Sequence, residues 1–480
     1  PRLVVFDPVL VAFLGDRLPV LGLVLGGIRP ENMIERAALG GRHGDLAVEV
    51  PVPLVVGAHL PSVACGGTDE MARAPYAGRM QLTPDRLVAG GDAMARDADG
   101  RVVFVEGALP GELVEVEIET SKKDFARGRL VEVIERSPVR DTPSCSHRRN
   151  GCGGCDWMHL QPEAQLDAKV EIVRESLRRI GRLDPELVER LVHRGGAVSQ
   201  FGYRTTIRVV GGPNGSVGYR AQGSNDVVEV HSCPIAESKL SRLLSVIEAD
   251  EGAELTLRTS VDTRSMTAIW DKKYRKSIRG VPSKVHIGER AWLIETVAGH
   301  ELRVSAGSFF QSGAQAAELL VAAVRTAAPE LATAQHAVDA YGGVGLFAVA
   351  AMDAVGHVTV IESSKSACLD AEHNLQERTA TVVRADVSGW TAPTGGGPTP
   401  PVDVVVADPA RPGLGKPGVA ALAAARAPVL VLVSCDPVSL ARDVTLLEGA
   451  GYVPERIEVL DLFPNTHHVE TVTRFVSRTS

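Results

Sequence analysis

The chain has 480 residues, of which 44% are hydrophobic and 23% charged, and its formal net charge at pH 7 is −8. This length predicts about three domains, and the composition is typical of an ordinary globular protein. The negative charge excludes a global positive field that would draw the whole chain to nucleic acid, although it is compatible with a local basic groove. No apolar run reaches the ~18 residues of a membrane helix, and the N-terminus lacks the basic start of a secretory signal. The seven cysteines are unevenly spaced, which is typical of ligands or nucleophiles and not of a disulfide framework. We therefore expect a cytoplasmic protein, and the lack of a membrane helix predicts no membrane partner.

Residues 1–80 form a leader rich in Leu, Val, Gly and Pro, without a period that predicts helix or strand. It fits an appended small fold, a disordered extension or translation from an early start codon, and the sequence does not distinguish these. Cys65 lies here alone, and we assign it no role.

Residues 81–140 carry short alternating segments separated by turns, a pattern that predicts a small antiparallel β-barrel. The clearest of these segments are Arg101–Val105, Leu113–Ile118 and Gly128–Ile134. The basic loop Ser121–Arg127 suits an oligonucleotide-binding barrel, and a solvated loop on a structural barrel explains it equally well.

Residues 141–305 contain a cysteine cluster, a predicted helix over residues 162–182 and a return to strands. Cys145, Cys152 and Cys155 fall within eleven residues and are separated by glycines, which lets the chain wrap closely around a metal. Cys233 completes a tetrathiolate set for a [4Fe–4S] cluster or, less favoured, zinc. The six-residue gap after the first cysteine argues against a radical enzyme, and reduced structural thiols are the alternative.

From about residue 314 helices and strands alternate, which predicts a doubly wound parallel sheet in a domain spanning residues 306–480. The strand 336–340 leads into a glycine loop, and the next two strands end near Glu362 and Asp386. Carboxylates at these strand ends suit the ribose hydroxyls and adenine amino group of S-adenosylmethionine. NAD is less favoured but not excluded, since Ala348 stands where a dinucleotide fingerprint has its third glycine.

Two further apolar strands end in chemically active groups. One strand runs into Asp408, and the run 429–433 is followed by Ser434-Cys435-Asp436-Pro437. Ligands of open α/β sheets bind at the carboxyl ends of such strands. A cysteine after a buried strand is more often a small core residue, so position alone does not assign catalysis to Cys435. Glu470 lies close to the C-terminus, near two histidines.

Taken together, these segments resemble the uracil-5 RNA methyltransferases, the bacterial family that forms 5-methyluridine in ribosomal or transfer RNA. The resemblance covers about residues 81–475, and its most specific parts are the cysteine cluster, Asp408-Pro-x-Arg411, Ser434-Cys435-x-Pro437 and Thr466-x-His-Val-Glu470. It implies a Rossmann-like class I methyltransferase domain, an N-terminal barrel of the TRAM type and a central, mainly antiparallel β domain that carries an iron–sulfur cluster.

The resemblance also implies a role for each site residue. Cys435 adds to C6 of the uracil, Glu470 removes the C5 proton, and Asp408 hydrogen-bonds the uracil edge. The target base has to leave its stack to reach them. S-adenosylmethionine is surrounded by Gln311, Tyr341, Gly343, Glu362, Asp386 and Asp408. Three positions depart from the family pattern: Gly313 replaces a frequent asparagine, Ala410 a proline and Gly342 a frequent cysteine.

Our leading hypothesis is a monomeric methyltransferase that acts on a uridine of 23S ribosomal RNA, with transfer RNA as the alternative substrate. A non-catalytic RNA-binding protein is a second hypothesis, and a cluster-dependent oxidoreductase that uses NAD is a third. The basic segments 272–276 and 174–182 are candidates to line the RNA path, although solvated faces explain them equally well. Cys368 is interpreted as buried packing.

Overall fold

A computed structural model describes residues 78–392 and 400–478. The predictions for residues 1–77, including Cys65, therefore lie outside the described residues. Within the described ranges, none of the helices combines the length and the apolar character that a membrane span requires.

The first sheet contains six strands in the order β1-β5-β6-β4-β3-β2. Their bounds are β1 Arg79–Leu82, β2 Arg86–Leu87, β3 Ala93–Arg96, β4 Val102–Glu106, β5 Leu113–Ser121 and β6 Phe125–Glu135. All pairs are antiparallel except β4 with β6. The alternating segments form strands as predicted because every second side chain, such as Val114 and Val116, is fully buried. The predicted basic loop is shorter, since β5 and β6 extend into it.

The middle of the chain combines three short sheets with four helices. Its elements are α1 Ser146–Arg149, α2 Pro162–Arg179, α3 Pro185–Leu191, β7 Val192–Ala197, β8 Thr206–Gly211, β9 Val217–Arg220, β10 Val227–Glu229, α4 Ser238–Leu243, β11 Glu248–Ala249, β12 Glu254–Thr259, β13 Met266–Trp270, β14 Ile278–Arg279, β15 Val285–Ile287, β16 Trp292–Val297 and β17 His300–Ser305. The larger sheet has the order β10-β9-β8-β12-β13-β15 and is antiparallel except for β13 with β15. The mainly antiparallel character of this region is confirmed. Helix α2 ends slightly earlier than predicted, because Arg182 adopts a left-handed backbone with φ 55°.

The last sheet has eight strands in the order β20-β19-β18-β21-β22-β24-β23-β7. Its elements are α5 Ala314–Ala327, β18 His336–Ala340, α6 Leu346–Ala350, β19 His357–Glu362, α7 Lys365–Asn374, β20 Ala380–Arg384, β21 Val404–Ala407, α8 Gly415–Ala423, β22 Val429–Ser434, α9 Pro437–Gly449, β23 Tyr452–Asp461 and β24 Glu470–Ser477. Strands β18 to β22 are parallel, and β21 and β22 are buried along their whole length, as an apolar run at the centre of a parallel sheet predicts.

The reversed strand β24 decides which residues meet at the carboxyl edge of this sheet. It is antiparallel to both neighbours, and its first residues pair as Thr471 with Ser434 and Glu470 with Leu460. Because β24 runs in the opposite direction, its amino end lies where the parallel strands have their carboxyl ends. Glu470 is thereby placed beside the end of β22, where Cys435 follows.

Helix α2 and β7 belong to the same packed unit as this sheet. Strand β7 pairs in parallel with β23, and the Lys169 ammonium on α2 lies 2.6 Å from Asp461 Oδ1 at the end of β23. Lys169 is completely buried, and its Nζ also donates to the Phe463 carbonyl at 3.2 Å. Burial lowers the pKa of Lys169, and the Asp461 carboxylate opposes that effect. The pair therefore fixes the start of the loop that leads to Glu470.

Substitution Lys169→Ala should lower the free energy of unfolding by about 3–5 kcal/mol, because it leaves the buried Asp461 carboxylate without its cation. Urea denaturation measures the change. The matched control Lys272→Ala removes a lysine that is 88% exposed and 3.6 Å from Glu289, so little change is expected. Equal losses in the two variants would contradict this assignment.

Candidate active site

Three strand ends bring Asp408, Cys435 and Glu470 to one edge of the eight-stranded sheet. Asp408 follows β21, Cys435 follows β22, and Glu470 begins β24. The Asp408 backbone N–H donates to the Ala340 carbonyl at 3.1 Å, which ties this residue to the end of β18. Asp436 caps α9 by accepting the Ser439 N–H at 2.7 Å, so the turn that carries Cys435 is held on both sides.

Gln311 joins this group from the loop before α5. Its Nε2 donates to Asp408 Oδ2 at 3.2 Å, and the residue is 8% exposed. The departure at Gly313 has a steric reason, since a Cβ added there would lie 2.2 Å from the Tyr203 carbonyl oxygen. The backbone therefore occupies the space that a side chain at position 313 would need.

Asp408 and Glu470 form a pair of carboxyls that influence each other's protonation. Burial raises the pKa of Asp408 well above its usual range, and the hydrogen bond from Gln311 only partly opposes this. Burial and then the neighbouring Asp408 charge raise the pKa of Glu470 well above its usual range. Two carboxylates that share a buried site do not both ionise readily. The site therefore favours a shared proton on the pair.

The surroundings of Cys435 favour the protonated thiol. Burial, followed by the negative charges of Glu470 and Asp408, raises the pKa of Cys435 to about 12, and only Arg411 notably opposes them. The three groups are thus close enough to influence one another, as a shared reaction site requires. A thiolate forms here only when a positive charge enters or a base takes the proton.

Arg411 and His468 complete the polar lining of this edge. An Arg411 Nη2 lies 3.3 Å from His468 Nε2. Burial and the neighbouring cationic groups lower the pKa of His468 to about 3, so its ring is neutral and can accept from the guanidinium. Both residues belong to motifs recognised in the sequence, but their mutual contact was not predicted.

Four of the proposed methyl-donor residues, Tyr341, Gly343, Glu362 and Asp386, lie at or just after the ends of β18, β19 and β20. The Gly343 N–H donates to Glu362 Oε2 at 3.0 Å, so the glycine loop and the acid at the end of β19 are in direct contact. Tyr341 has a φ of 60°, a conformation that non-glycine residues adopt rarely and mostly at functional sites. Burial and the nearby Asp386 charge raise the pKa of Tyr341 to about 12. The exposed Asp386 accepts the Ser388 N–H at 2.9 Å.

Asp339 is a site residue that the sequence reasoning missed. It is completely buried in β18, where Oδ2 accepts the Ala348 N–H at 2.9 Å and Oδ1 has no hydrogen-bond partner. Burial raises its pKa to about 7. The signal was present, because a carboxylate inside an apolar strand requires a partner.

The four candidate metal ligands line one cavity of about 190 Å³. These are Cys145, Cys152, Cys155 and Cys233. Burial and then repulsion from the other thiols raise the pKa of Cys155 to about 12. Arg204 also lines this cavity, and its Nε is buried without a hydrogen-bond partner among the described residues. Burial and then the neighbouring Cys233, which interacts with the Tyr219 hydroxyl, raise the pKa of Tyr219. In the described ranges, no set of three or more His, Cys, Asp or Glu side chains is arranged to hold a single metal ion.

Residues 85–131 match the TRAM domain family. The chain is similar to an uncharacterized RNA methyltransferase of Streptomyces avermitilis, with 32% identity over 422 residues that cover 80% of this chain and 94% of the relative. It is also 31% identical to the 23S rRNA (uracil(1939)-C(5))-methyltransferase RlmD of Chromohalobacter salexigens, over 82% of this chain and 88% of the relative.

Among solved structures, the fold resembles the Pyrococcus abyssi tRNA (uracil-54, C5)-methyltransferase, with a TM-score of 0.62 and 24% identity over 83% of this chain and 100% of the other. That structure contains S-adenosyl-L-homocysteine. The predicted class I methyltransferase fold with an N-terminal TRAM domain is confirmed. The strand-end site and the extended similarity agree, and the chain belongs to the S-adenosylmethionine-dependent RNA uracil-C5 methyltransferase family.

Proposed function

We propose that this enzyme methylates C5 of a uridine in 23S ribosomal RNA through a covalent bond between Cys435 Sγ and C6 of the base. The observation that carries the proposal is the meeting of Cys435, Glu470 and Asp408 at one sheet edge. The choice of 23S RNA is supported by relatives named for that substrate at about 30% identity. Transfer RNA is the alternative substrate.

The nucleophile is needed because uracil C5 does not attack a methyl group readily. The Cys435 thiolate adds to C6, and the electrons of the C5–C6 double bond move toward C5 and the O4 carbonyl. C5 then takes the methyl group that S-adenosylmethionine would supply, and the electron pair of the broken S–CH3 bond would stay on the sulfur of the departing S-adenosylhomocysteine. Glu470 accepts the C5 proton, the C5–C6 double bond re-forms, and the Cys435 sulfur leaves with its electron pair. Asp408 and its partner Gln311 hold the edge of the base.

Residues Gln311, Tyr341, Gly343, Glu362 and Asp386, together with Asp408, are proposed to hold S-adenosylmethionine. When bound, S-adenosylmethionine supplies an electrophilic methyl group on a cationic sulfur. A positive charge at this edge favours the Cys435 thiolate, which the charges of Glu470 and Asp408 disfavour. Cofactor binding and nucleophile activation are thereby linked.

The four cysteines that line the cavity are inferred to hold a [4Fe–4S] cluster. Two features support a group held at this place: the four thiols line one cavity, and Arg204 Nε beside them is buried without an acceptor among the described residues. A cluster accepts hydrogen bonds at its sulfurs and neutralises thiolates whose mutual repulsion otherwise opposes burial.

Variant Glu470→Gln should accumulate a covalent protein–RNA adduct, because addition and methylation proceed while proton removal is slowed by about 10²–10⁴-fold. Denaturing gels with radiolabelled, undermethylated 23S and transfer RNA reveal the adduct and its substrate. We expect it with 23S RNA. Variant Cys435→Ala, alone or combined with Glu470→Gln, should form no adduct and produce no 5-methyluridine. Variant Cys368→Ala should remain active. Turnover by Cys435→Ala would exclude the covalent route, and an adduct on transfer RNA alone would identify the other substrate.

The methylation rate should fall as pH decreases through the apparent pKa of the carboxyl pair, because Glu470 must be ionised to accept the C5 proton. The Asp408 charge raises the pKa of Glu470, so Asp408→Asn should shift the acidic limb of the residual rate to lower pH. The surface variant Asp353→Asn should leave the limb in place. A limb that stays unchanged or shifts upward in Asp408→Asn would refute the coupling. Single-turnover rates across a pH series provide the measurement.

Anaerobically purified protein should be brown, with broad visible absorption and iron and sulfide bound. Substitution Cys155→Ser should reduce the iron content, while the matched variant Cys368→Ser, which changes a cysteine outside the cavity, should retain it. Metal analysis gives a readout that does not depend on activity. A colourless protein that contains zinc would overturn the iron–sulfur assignment.

A further inference from the structure

The loop between β23 and β24, residues 462–469, ends at Glu470 and contacts the segment that carries three of the cysteines. We call these the catalytic loop and the cysteine segment (residues 145–157). The Trp157 N–H donates to the Asn465 carbonyl at 3.0 Å. The Asp156 carboxylate, which directly follows Cys155, has Oδ2 2.6 Å from His467 Nδ1. Two consecutive residues of the cysteine segment thus hold two positions of the catalytic loop.

The TRAM region closes the other side of this contact. Gly91 has a φ of 94°, and a Cβ added to it would lie 2.8 Å from His467 Cβ and 3.0 Å from Asp156 Oδ2. The Trp157 indole N–H also donates to the Gly91 carbonyl at 3.0 Å. Backbone at Gly91 therefore closes one side of the His467–Asp156 pair, which restricts the positions that the imidazole can adopt.

From His467 a chain of contacts leads to the reaction site. The His467 and His468 rings lie with their centroids 4.4 Å apart, and His468 Nε2 lies 3.3 Å from Arg411 Nη2. Arg411 is the cation that acts on Cys435, and Glu470 follows His468 by two residues. A displacement of His467 consequently affects both the base and the cation of the site.

We propose that Asp156 is a positioning residue that acts through His467 to hold the catalytic loop where Glu470 can reach the C5 proton. This inference rests on the proposed covalent mechanism. It assigns to the cysteine segment a direct part in catalytic geometry, separate from metal binding.

The test separates addition of Cys435 from the Glu470-dependent release of product. In single-turnover experiments with undermethylated 23S RNA, Asp156→Ala should form the adduct and release methylated RNA about 10–100-fold more slowly, the size expected for a small misplacement of a reacting group. His467→Ala should behave alike, and the double variant should lose no more than either single variant, because the two act as one unit. Asp156→Asn repeats the comparison if the alanine variant fails to fold.

The chain offers a matched control in the surface pair His300 and Asp353, whose Nε2 and Oδ2 atoms lie 3.8 Å apart. His300→Ala and Asp353→Ala should leave the release rate unchanged. Unaltered release in Asp156→Ala, additive losses in the double variant, or a parallel fall in S-adenosylmethionine affinity and melting temperature would overturn the proposal. Failure of the covalent mechanism itself is recognised separately, by the absence of any adduct in Glu470→Gln.

Discussion

The enclosure of two carboxyls and a thiol at one dry sheet edge is the constraint on which this site depends. Asp408, Glu470 and Cys435 disfavour one another's ionisation, and Arg411 is the nearby cation that opposes this. Such an arrangement is unfavourable by itself, because desolvated like charges repel. In the proposed mechanism a cationic methyl donor would bring a positive charge to this edge and relieve the repulsion.

Residues from most of the described chain hold the segment that brings Glu470 to this edge. Lys169 on α2 binds Asp461 and the Phe463 carbonyl, and the Tyr203 hydroxyl donates to the Pro464 carbonyl at 3.0 Å. These contacts start from elements that precede the methyltransferase sheet in sequence. Tertiary contacts from outside the C-terminal sheet therefore help to position Glu470.

The cysteine cavity also places ionisable groups close together in a buried space, and there the proposed cluster would relieve their repulsion. Four thiols line one cavity, and burial followed by repulsion from Cys233 and Cys152 raises the pKa of Cys155. The unpartnered Arg204 Nε provides a donor at the same place. The proposed cluster supplies both positive iron and sulfur acceptors. Through Asp156 and Trp157, the segment that carries these cysteines also reaches the catalytic loop, so that metal binding and loop position share one piece of backbone.

The sequence by itself determined the local features: the apolar runs that became β21 and β22, and the placement of Asp408 and Cys435 directly after them. A strand that is buried on both faces consists of consecutive apolar residues, so these two strands could be predicted from the sequence. The family resemblance added the roles of the site residues. Only the tertiary structure decided the reversal of β24 beside β22 and the contact of Asp156 with His467, 311 residues away. No local pattern encodes such pairs, because they arise from how whole elements pack.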